Sequence, residues 1–174
     1  HLDSQLARVT AHLEQNGLLD NTLVVITGDH GEEFMEKGRW GHNSTFVDEQ
    51  IRVPLVLWIP GREPHRESLR TSHVDLLPTL LPLLGVRNPG QDYAIGHSLF
   101  EPKADRLLLA GDWDRLAFLG EQYKLVLPLA SGSFAGMDVS HADDRQVSNS
   151  TRVLQTKMPL IQVEMGSLRR FLAH

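Results

Sequence analysis

The stretch LVVITGDHG, residues 23–31, decides the fold class of this chain. Its first five residues are apolar or β-branched, too few for a helix, and they are bounded by Asn21 and Gly28. This pattern is typical of a strand whose two faces are both covered, as in α/β proteins. In such folds ligand chemistry gathers where the strands end and loops leave the sheet. We therefore expect a functional site at Asp29 and His30, which follow the strand directly.

Asp29 and His30 place a carboxylate beside an imidazole, and both groups are common ligands of divalent metals. Adjacent residues on a regular strand point to opposite faces, so the two can share an ion only where the chain leaves extended geometry. Gly28 and Gly31 make that turn inexpensive. The alternative is an ordinary loop pair in which His30 bonds to a backbone carbonyl, and the dipeptide alone leaves both interpretations open.

The composition is that of an ordinary globular protein, with 174 residues, 41% hydrophobic and 22% charged. This length suits one core, so we predict a single domain over residues 1–174. A net charge of -5 without a basic stripe disfavours nucleic acid as a partner. The absence of cysteine excludes disulfides and thiolate metal sites, which leaves imidazole and carboxylate as the available ligands.

The start of the chain has apolar residues at helical spacing, with no capping residue before them: Leu2, Leu6, Val9 and Leu13. We expect this helix to end near Asn16 and Gly17, and we interpret the chain as the C-terminal fragment of a longer protein. An anchor or a targeting signal would then lie upstream. No apolar stretch is long enough to span a bilayer, so the fragment itself is expected to be soluble.

Further along, the pattern predicts a polar loop over 31–48, a second buried strand over 54–59 and a helix over 73–84 that is capped by Ser72 and Asp75. Three short apolar runs separated by turns, 107–110, 116–119 and 123–127, indicate an antiparallel meander. Residues 130–150 are expected to be irregular, and 159–172 to form a closing helix that starts at Pro159.

Several charged residues have structural explanations. Capping and the helix dipole account for His73 and Asp75, and turn chemistry accounts for Asp112 and Asp114. The pair at 32–33, two glutamates, is expected to be a solvated pair at a helix start, although partners that orient His30 are an alternative.

Taken in order along the chain, these motifs resemble the sulfatase branch of the alkaline phosphatase superfamily. The resemblance lies in VVITGDHGE at 24–32, GHN at 41–43, RVPLV at 52–56, PG at 60–61, SHVDLLPTL at 72–80, GHSLF at 96–100 and YKLV at 123–126. In particular, the chain is similar to bacterial membrane-anchored sulfatase-like proteins, including inner-membrane proteins tied to lipopolysaccharide control; phosphoethanolamine transferases are more distant. The resemblance implies an α/β fold with a mixed sheet flanked by helices, to which the meander is added at the C-terminus.

The resemblance also implies roles for individual residues. Asp29 and His30 match the metal ligands of the second half of the family's site, and His42 matches the histidine that faces the sulfate or phosphate group. The family's nucleophile and its first-half acidic ligands lie upstream of this segment, and nothing at the start of this chain matches them. The chain is therefore expected to carry half of an active site and to need the missing N-terminal half of the same domain. Lys124 matches a strand lysine and is left out of the site.

Such a site would cleave a sulfate or phosphate ester with a divalent ion and a donor histidine. An imidazole ligand favours Zn²⁺ or Mn²⁺, whereas many sulfatases are known for Ca²⁺, so the metal stays open. His42 could donate to the anionic ester, or it could be a loop histidine that caps a carbonyl. Three functions follow: a sulfuric ester hydrolase, a phosphoethanolamine-type phosphotransferase, or a non-catalytic module in envelope lipid regulation. In each case the parent would lie on the periplasmic face of the inner membrane.

Overall fold

The computed structural model describes residues 1–130 and 136–172. Two compact units are distinguished, His1–Glu67 and Ser68–His174. The single domain over 1–174 stays a prediction.

The N-terminal unit, residues 1–67, carries two helices and two antiparallel strand pairs. Its elements are α1 (Leu2–Gln15), β1 (Val24–Thr27), β2 (Glu33–Phe34), β3 (Trp40–Gly41), α2 (Asp48–Ile51) and β4 (Leu55–Trp58). β1 pairs with β4, and β2 pairs with β3. The predicted first helix and both strands are therefore confirmed, and the loop over 31–48 contains the β2–β3 hairpin.

One expectation for β1 and β4 was wrong. Both strands alternate between half-buried and exposed positions, and Val25, Val56 and Trp58 keep 37%, 54% and 48% of their surface exposed. Their apolar composition is explained equally well by partial packing, because a two-stranded sheet has few neighbours to cover it. These strands are therefore not covered on both faces within this unit.

The C-terminal unit, residues 68–174, contains α3 (Leu76–Leu83), β5 (Leu108–Gly111), β6 (Arg115–Leu119), β7 (Tyr123–Pro128), β8 (Asp138–His141) and α4 (Ser150–Leu172). The four strands pair antiparallel in chain order. A core of Phe118, Leu125 and Ile161, all fully buried, joins the sheet to α4. Burial of these apolar side chains is the main source of stability of the unit.

The C-terminal meander is confirmed, and so is the helix over 73–84, which begins with a 3₁₀ turn at His73–Asp75 before α3. Two boundaries were wrong. Residues 130–150 are not wholly irregular, because β8 lies within them; residues 131–135 fall outside the described part. The closing helix starts at Ser150 and not at Pro159, since Val153 and Leu154 already pack on the core before the proline.

Candidate metal and anion site

The turn after β1 is held by a close approach of two backbones. The amide of Gly31 donates to the carbonyl oxygen of Gln50 over 2.8 Å. A Cβ on Gly31 would overlap the Glu49 carbonyl group, whose carbon would lie 3.0 Å away. Only glycine fits at position 31 without a steric clash. The close approach that it allows holds the turn with Asp29 and His30 against the end of α2.

A buried polar pair supports the neighbouring hairpin. Glu33 is fully buried, and its carboxylate accepts hydrogen bonds from the amides of Lys37 (3.0 Å) and Arg39 (2.8 Å) and from the side chain of Gln50 (2.8 Å). Burial opposes ionisation, but these donors outweigh it and lower the pKa of the Glu33 carboxyl below its usual value. Gln50 also accepts from the amide of Ser44, so one network orders both the hairpin and the loop after His42.

This arrangement corrects the expectation for Glu32 and Glu33. The two residues do not begin a helix: Glu33 opens β2 and is buried, while Glu32 pairs with His42. An alternating hydrophobic pattern could not indicate this, because a glutamate at an inward strand position looks polar in the sequence.

Asp29 and His30 lie close enough to serve one ion. The Nε2 atom of His30 is 3.7 Å from Oδ2 of Asp29, and the Asp29 side chain is 89% exposed. Nδ1 of His30 contacts the carbonyl oxygen of Gly31 at 2.9 Å. Because a carbonyl only accepts, Nδ1 carries the proton and Nε2 keeps its lone pair for a ligand. The first alternative from the sequence, a bond from His30 to a carbonyl, is thus present and compatible with a metal-binding role.

The charge state of Asp29 suits the same role. Its carboxylate accepts from backbone amides, including that of His30 over 3.0 Å, and these bonds, followed by the nearby imidazole of His30, lower the pKa of Asp29. An anionic oxygen is therefore available at and below neutral pH.

His42 lies directly beside His30. Their ring centroids are 4.0 Å apart, and Nδ1 of His42 is 2.9 Å from Oε2 of Glu32. A carboxylate acceptor places the proton of His42 on Nδ1 and leaves Nε2 open. Ligand atoms of His30, Glu32 and His42 lie within 4.8 Å of one another, a set that could hold a metal ion. The structure thus brings His30 and His42 together and adds Glu32, whereas Asp29 lies beside His30 but is not a member of this set.

Glu32 could have been found from the hairpin register. Glu33 pairs with Gly41 and Phe34 with Trp40, so Glu32 and His42 occupy the next step. Predicting this requires the exact turn, which the sequence motif alone did not supply.

The residues given structural roles fulfil them. Asp75 is fully buried in a capping box with Ser72, and it forms an ion pair with Arg106. Asp112 accepts from the amides of Asp114 and Arg115 in the turn after β5. Lys124 is buried and contacts Asp144 over 2.8 Å.

Comparisons with known proteins point to sulfatases and their relatives. The sulfatase family model matches residues 1–86. The chain is 34% identical over 129 residues to the inner membrane protein YejM of Salmonella typhimurium, an alignment that covers 72% of the chain and 21% of YejM. It is 34% identical over 86 residues to a choline-sulfatase of Rhizobium meliloti, covering 49% of the chain and 17% of that protein. The chain thus spans about a fifth of the length of these curated relatives.

Solved structures share the fold. The protein yidJ of Bacteroides fragilis superposes with a TM-score of 0.70 at 21% identity, covering 98% of this chain and 39% of yidJ. A phosphonate monoester hydrolase of Agrobacterium radiobacter superposes with a TM-score of 0.65 at 23% identity, covering 97% of this chain and 39% of the hydrolase. At these identities the likeness shows the α/β, alkaline-phosphatase-like fold.

Proposed function

Because this chain belongs to the sulfatase branch of the alkaline phosphatase superfamily, we propose that it carries the second half of the metal and anion site of a sulfuric ester hydrolase. The observation that carries this proposal is the pair of contacts made by His30: its Nε2 atom lies 3.7 Å from Oδ2 of Asp29, and its ring centroid lies 4.0 Å from that of His42. Each side chain keeps an atom with a lone pair that can bind a metal ion: a carboxylate oxygen on Asp29, and Nε2 on each imidazole.

The donor set fits a divalent ion of the type that this family uses. Two ligands about 2.1 Å from a tetrahedral Zn²⁺ are roughly 3.4 Å apart, close to the 3.7 Å between Nε2 of His30 and Oδ2 of Asp29. One oxygen and one or two nitrogens favour Zn²⁺ or Mn²⁺ over Ca²⁺, which prefers oxygen alone. We propose Asp29 and His30 as ligands of that ion, with Glu32 as a partner that orients His42.

The chemistry of ester cleavage assigns the remaining roles. Charge builds on the nonbridging oxygens and on the leaving oxygen, and a bound divalent ion would stabilise it electrostatically. Nε2 of His42 can donate to that charge once the ring is protonated, while Glu32 on Nδ1 holds the ring in place. His42 is therefore proposed as the residue that contacts the anionic ester.

The chain contributes only part of such a site. The alignments cover only 21% and 17% of these relatives, and the family resemblance places the nucleophile in a segment upstream of this one. We propose that the N-terminal half of the same domain is the partner that completes the centre. The identity of that nucleophile separates a hydrolase from a phosphoethanolamine-type transferase, and intact upstream acidic ligands would argue against a non-catalytic module.

The proposed location is supported by one of the same relatives. YejM is named as an inner membrane protein, and we propose that the parent of this chain likewise sits at the inner membrane with this domain on the periplasmic side. Among the described helices, none is long and apolar enough to cross a bilayer.

The metal proposal is tested by calorimetric titration of the chain with Zn²⁺ and, separately, Mn²⁺ and Ca²⁺. Replacing His30 or Asp29 by Ala is expected to weaken binding of the preferred ion at least about tenfold. The matched control is His65→Ala, an exposed histidine beside a carboxylate, Glu67, in the connector after β4. Equal affinities for wild type and His30→Ala would reject the ligand assignment.

A second measurement tests the half-site interpretation. The chain alone should show no appreciable turnover of an aryl sulfate ester with any of the three ions. Robust turnover that disappears in Asp29→Ala would mean that the centre is complete without an upstream segment.

A further inference from the structure

The tip of the β2–β3 hairpin exposes an aromatic pair. Phe34 and Trp40 are direct cross-strand partners, with ring centroids 5.2 Å apart in an edge-to-face arrangement. Nevertheless 57% of Phe34 and 71% of Trp40 stay exposed, and Met35 beside them is 58% exposed. Single exposed apolar residues are ordinary on a protein surface, but a contiguous aromatic patch marks a place where something binds.

The patch continues directly from the candidate metal and anion site. Glu32 stands two residues before Phe34, and His42 stands two residues after Trp40, so only the Glu33–Gly41 pair separates the Glu32–His42 contact from the aromatic pair. The carboxylate of Glu32 holds the His42 ring through its 2.9 Å contact. Along the hairpin, the aromatic pair therefore lies two register steps from the contact between Glu32 and His42.

Buried hydrogen bonds hold the hairpin that carries this patch. The buried carboxylate of Glu33 ties down the amides of Lys37 and Arg39, so the strands are anchored from the opposite face. Rigid aromatic rings on an anchored hairpin lose little conformational entropy when they bind a flat ligand.

Building on the proposed function, we propose that Phe34 and Trp40 form the subsite for the organic group of the ester. They would select esters whose leaving group presents a flat apolar face next to the oxyanion. An aryl ring stacks on such a pair through its π face, and a sugar ring stacks through its C–H face. Inorganic sulfate, which has no such face, would gain nothing from the pair.

The experiment uses the full 174-residue chain with Zn²⁺ and follows the Trp40 indole N–H by NMR. The chain is titrated with 4-nitrophenyl sulfate, with glucosamine 6-sulfate and with inorganic sulfate. We expect the indole signal to shift with at least one organic ester and not with inorganic sulfate. Ester affinities of wild type and variants are compared by calorimetric titration, which does not depend on the indole, and Phe34→Ala and Trp40→Ala should weaken binding of that ester about three- to tenfold. The ester that responds identifies the leaving group as aryl or sugar.

Trp113→Ala is the matched control, because Trp113 is likewise an exposed tryptophan, at 90% in the turn after β5, and is not assigned to this subsite. It should change no ester affinity. Trp40→Phe keeps an aromatic face and should restore most of the binding, which separates loss of the subsite from loss of the hairpin fold.

Two results would overturn the proposal: equal ester affinities for wild type and Trp40→Ala, or vesicle binding that depends on Trp40 while ester binding does not. The second result would identify the hairpin as membrane-facing. It is tested by measuring the binding of wild type and Trp40→Ala to vesicles of phosphatidylethanolamine and phosphatidylglycerol. Failure of the metal assignment would give a different result. The Zn²⁺ affinity would then be the same in wild type and His30→Ala, while ester binding would still depend on Trp40.

Discussion

Oε2 of Glu32 lies 2.9 Å from Nδ1 of His42, although the two residues are ten positions apart in the chain. The β2–β3 hairpin brings them together, and the contact fixes which nitrogen of His42 is free. A carboxylate behind an imidazole orients the ring and makes the open nitrogen a better ligand or donor. Glu32 is therefore expected to influence the site even where it does not touch the ion.

Replacing Glu32 by Gln should weaken Zn²⁺ binding by about tenfold, because the amide cannot hold the imidazole as an anionic acceptor does. Calorimetric titration measures the effect. Glu63→Gln, at an exposed position after β4, removes the same charge away from the hairpin and should leave the affinity unchanged. Equal losses in both variants would mean that only net charge matters.

Replacing Gln50 by Ala should lower the unfolding free energy by about 2 kcal/mol, because the buried Glu33 carboxylate loses one of its three donors and the amides of Ser44 and Thr45 lose their acceptor. Urea denaturation followed by circular dichroism reports the change. Gln15→Ala, at the exposed end of α1, is the control and should be nearly neutral. A neutral Gln50→Ala would show that water replaces this network at no cost.

Replacing Gly31 by Ala should reduce both stability and Zn²⁺ affinity, because its methyl group would overlap the Glu49 carbonyl and push the turn that carries His30. The matched control is Gly166→Ala in α4, where nothing lies within 4 Å of the added carbon. That variant should raise stability by roughly 0.5–1 kcal/mol, since alanine favours a helix. Unchanged metal binding in Gly31→Ala would show that the turn tolerates the shift.

Local pattern was enough to predict much of the fold. Three kinds of pattern depend only on residues within one element, and each predicted its element. They are the apolar spacing of α1, the β-branched run of β1, and the apolar runs of β5, β6 and β7. β8 was missed because its residues, DVSH, show little apolar alternation, and it exists through its pairing with β7. The early start of α4 was missed because Pro159 resembled a first helical residue, whereas packing of Val153 and Leu154 sustains the helix before it.

In the candidate site, too, contacts between sequence neighbours could be predicted and contacts across a hairpin could not. Asp29 and His30 are neighbours in the sequence, so their proximity could be predicted, and the family motif drew attention to His42. Glu32 could not be assigned, since its partner is reached only across a hairpin. The outward position of Phe34 and Trp40 likewise depends on which face of that hairpin Glu33 buries.

Asp75 provides a test of stability against pH. Its fully buried carboxylate pairs with Arg106 and accepts from the amides of His97 (2.9 Å) and Ser72 (2.8 Å). Burial raises the pKa of Asp75, but these donors outweigh it and hold the pKa below its ordinary value. The folded state therefore binds this proton less readily than the unfolded state, and the stabilisation is present above about pH 4 and lost as pH falls through the folded pKa.

Asp75→Asn should consequently lower the unfolding free energy by about 3 kcal/mol at pH 7, because Arg106 is left without its anionic partner. The difference from wild type should shrink as the pH falls below about 4, because the unfolded wild type then takes up a proton on Asp75 that the folded state resists. Urea denaturation at pH 7, 5 and 3 measures it, with Asp138→Asn, an exposed position in β8, as the control. A difference that stays constant down to pH 3 would mean that the lost stability comes from altered packing and not from the charge on Asp75.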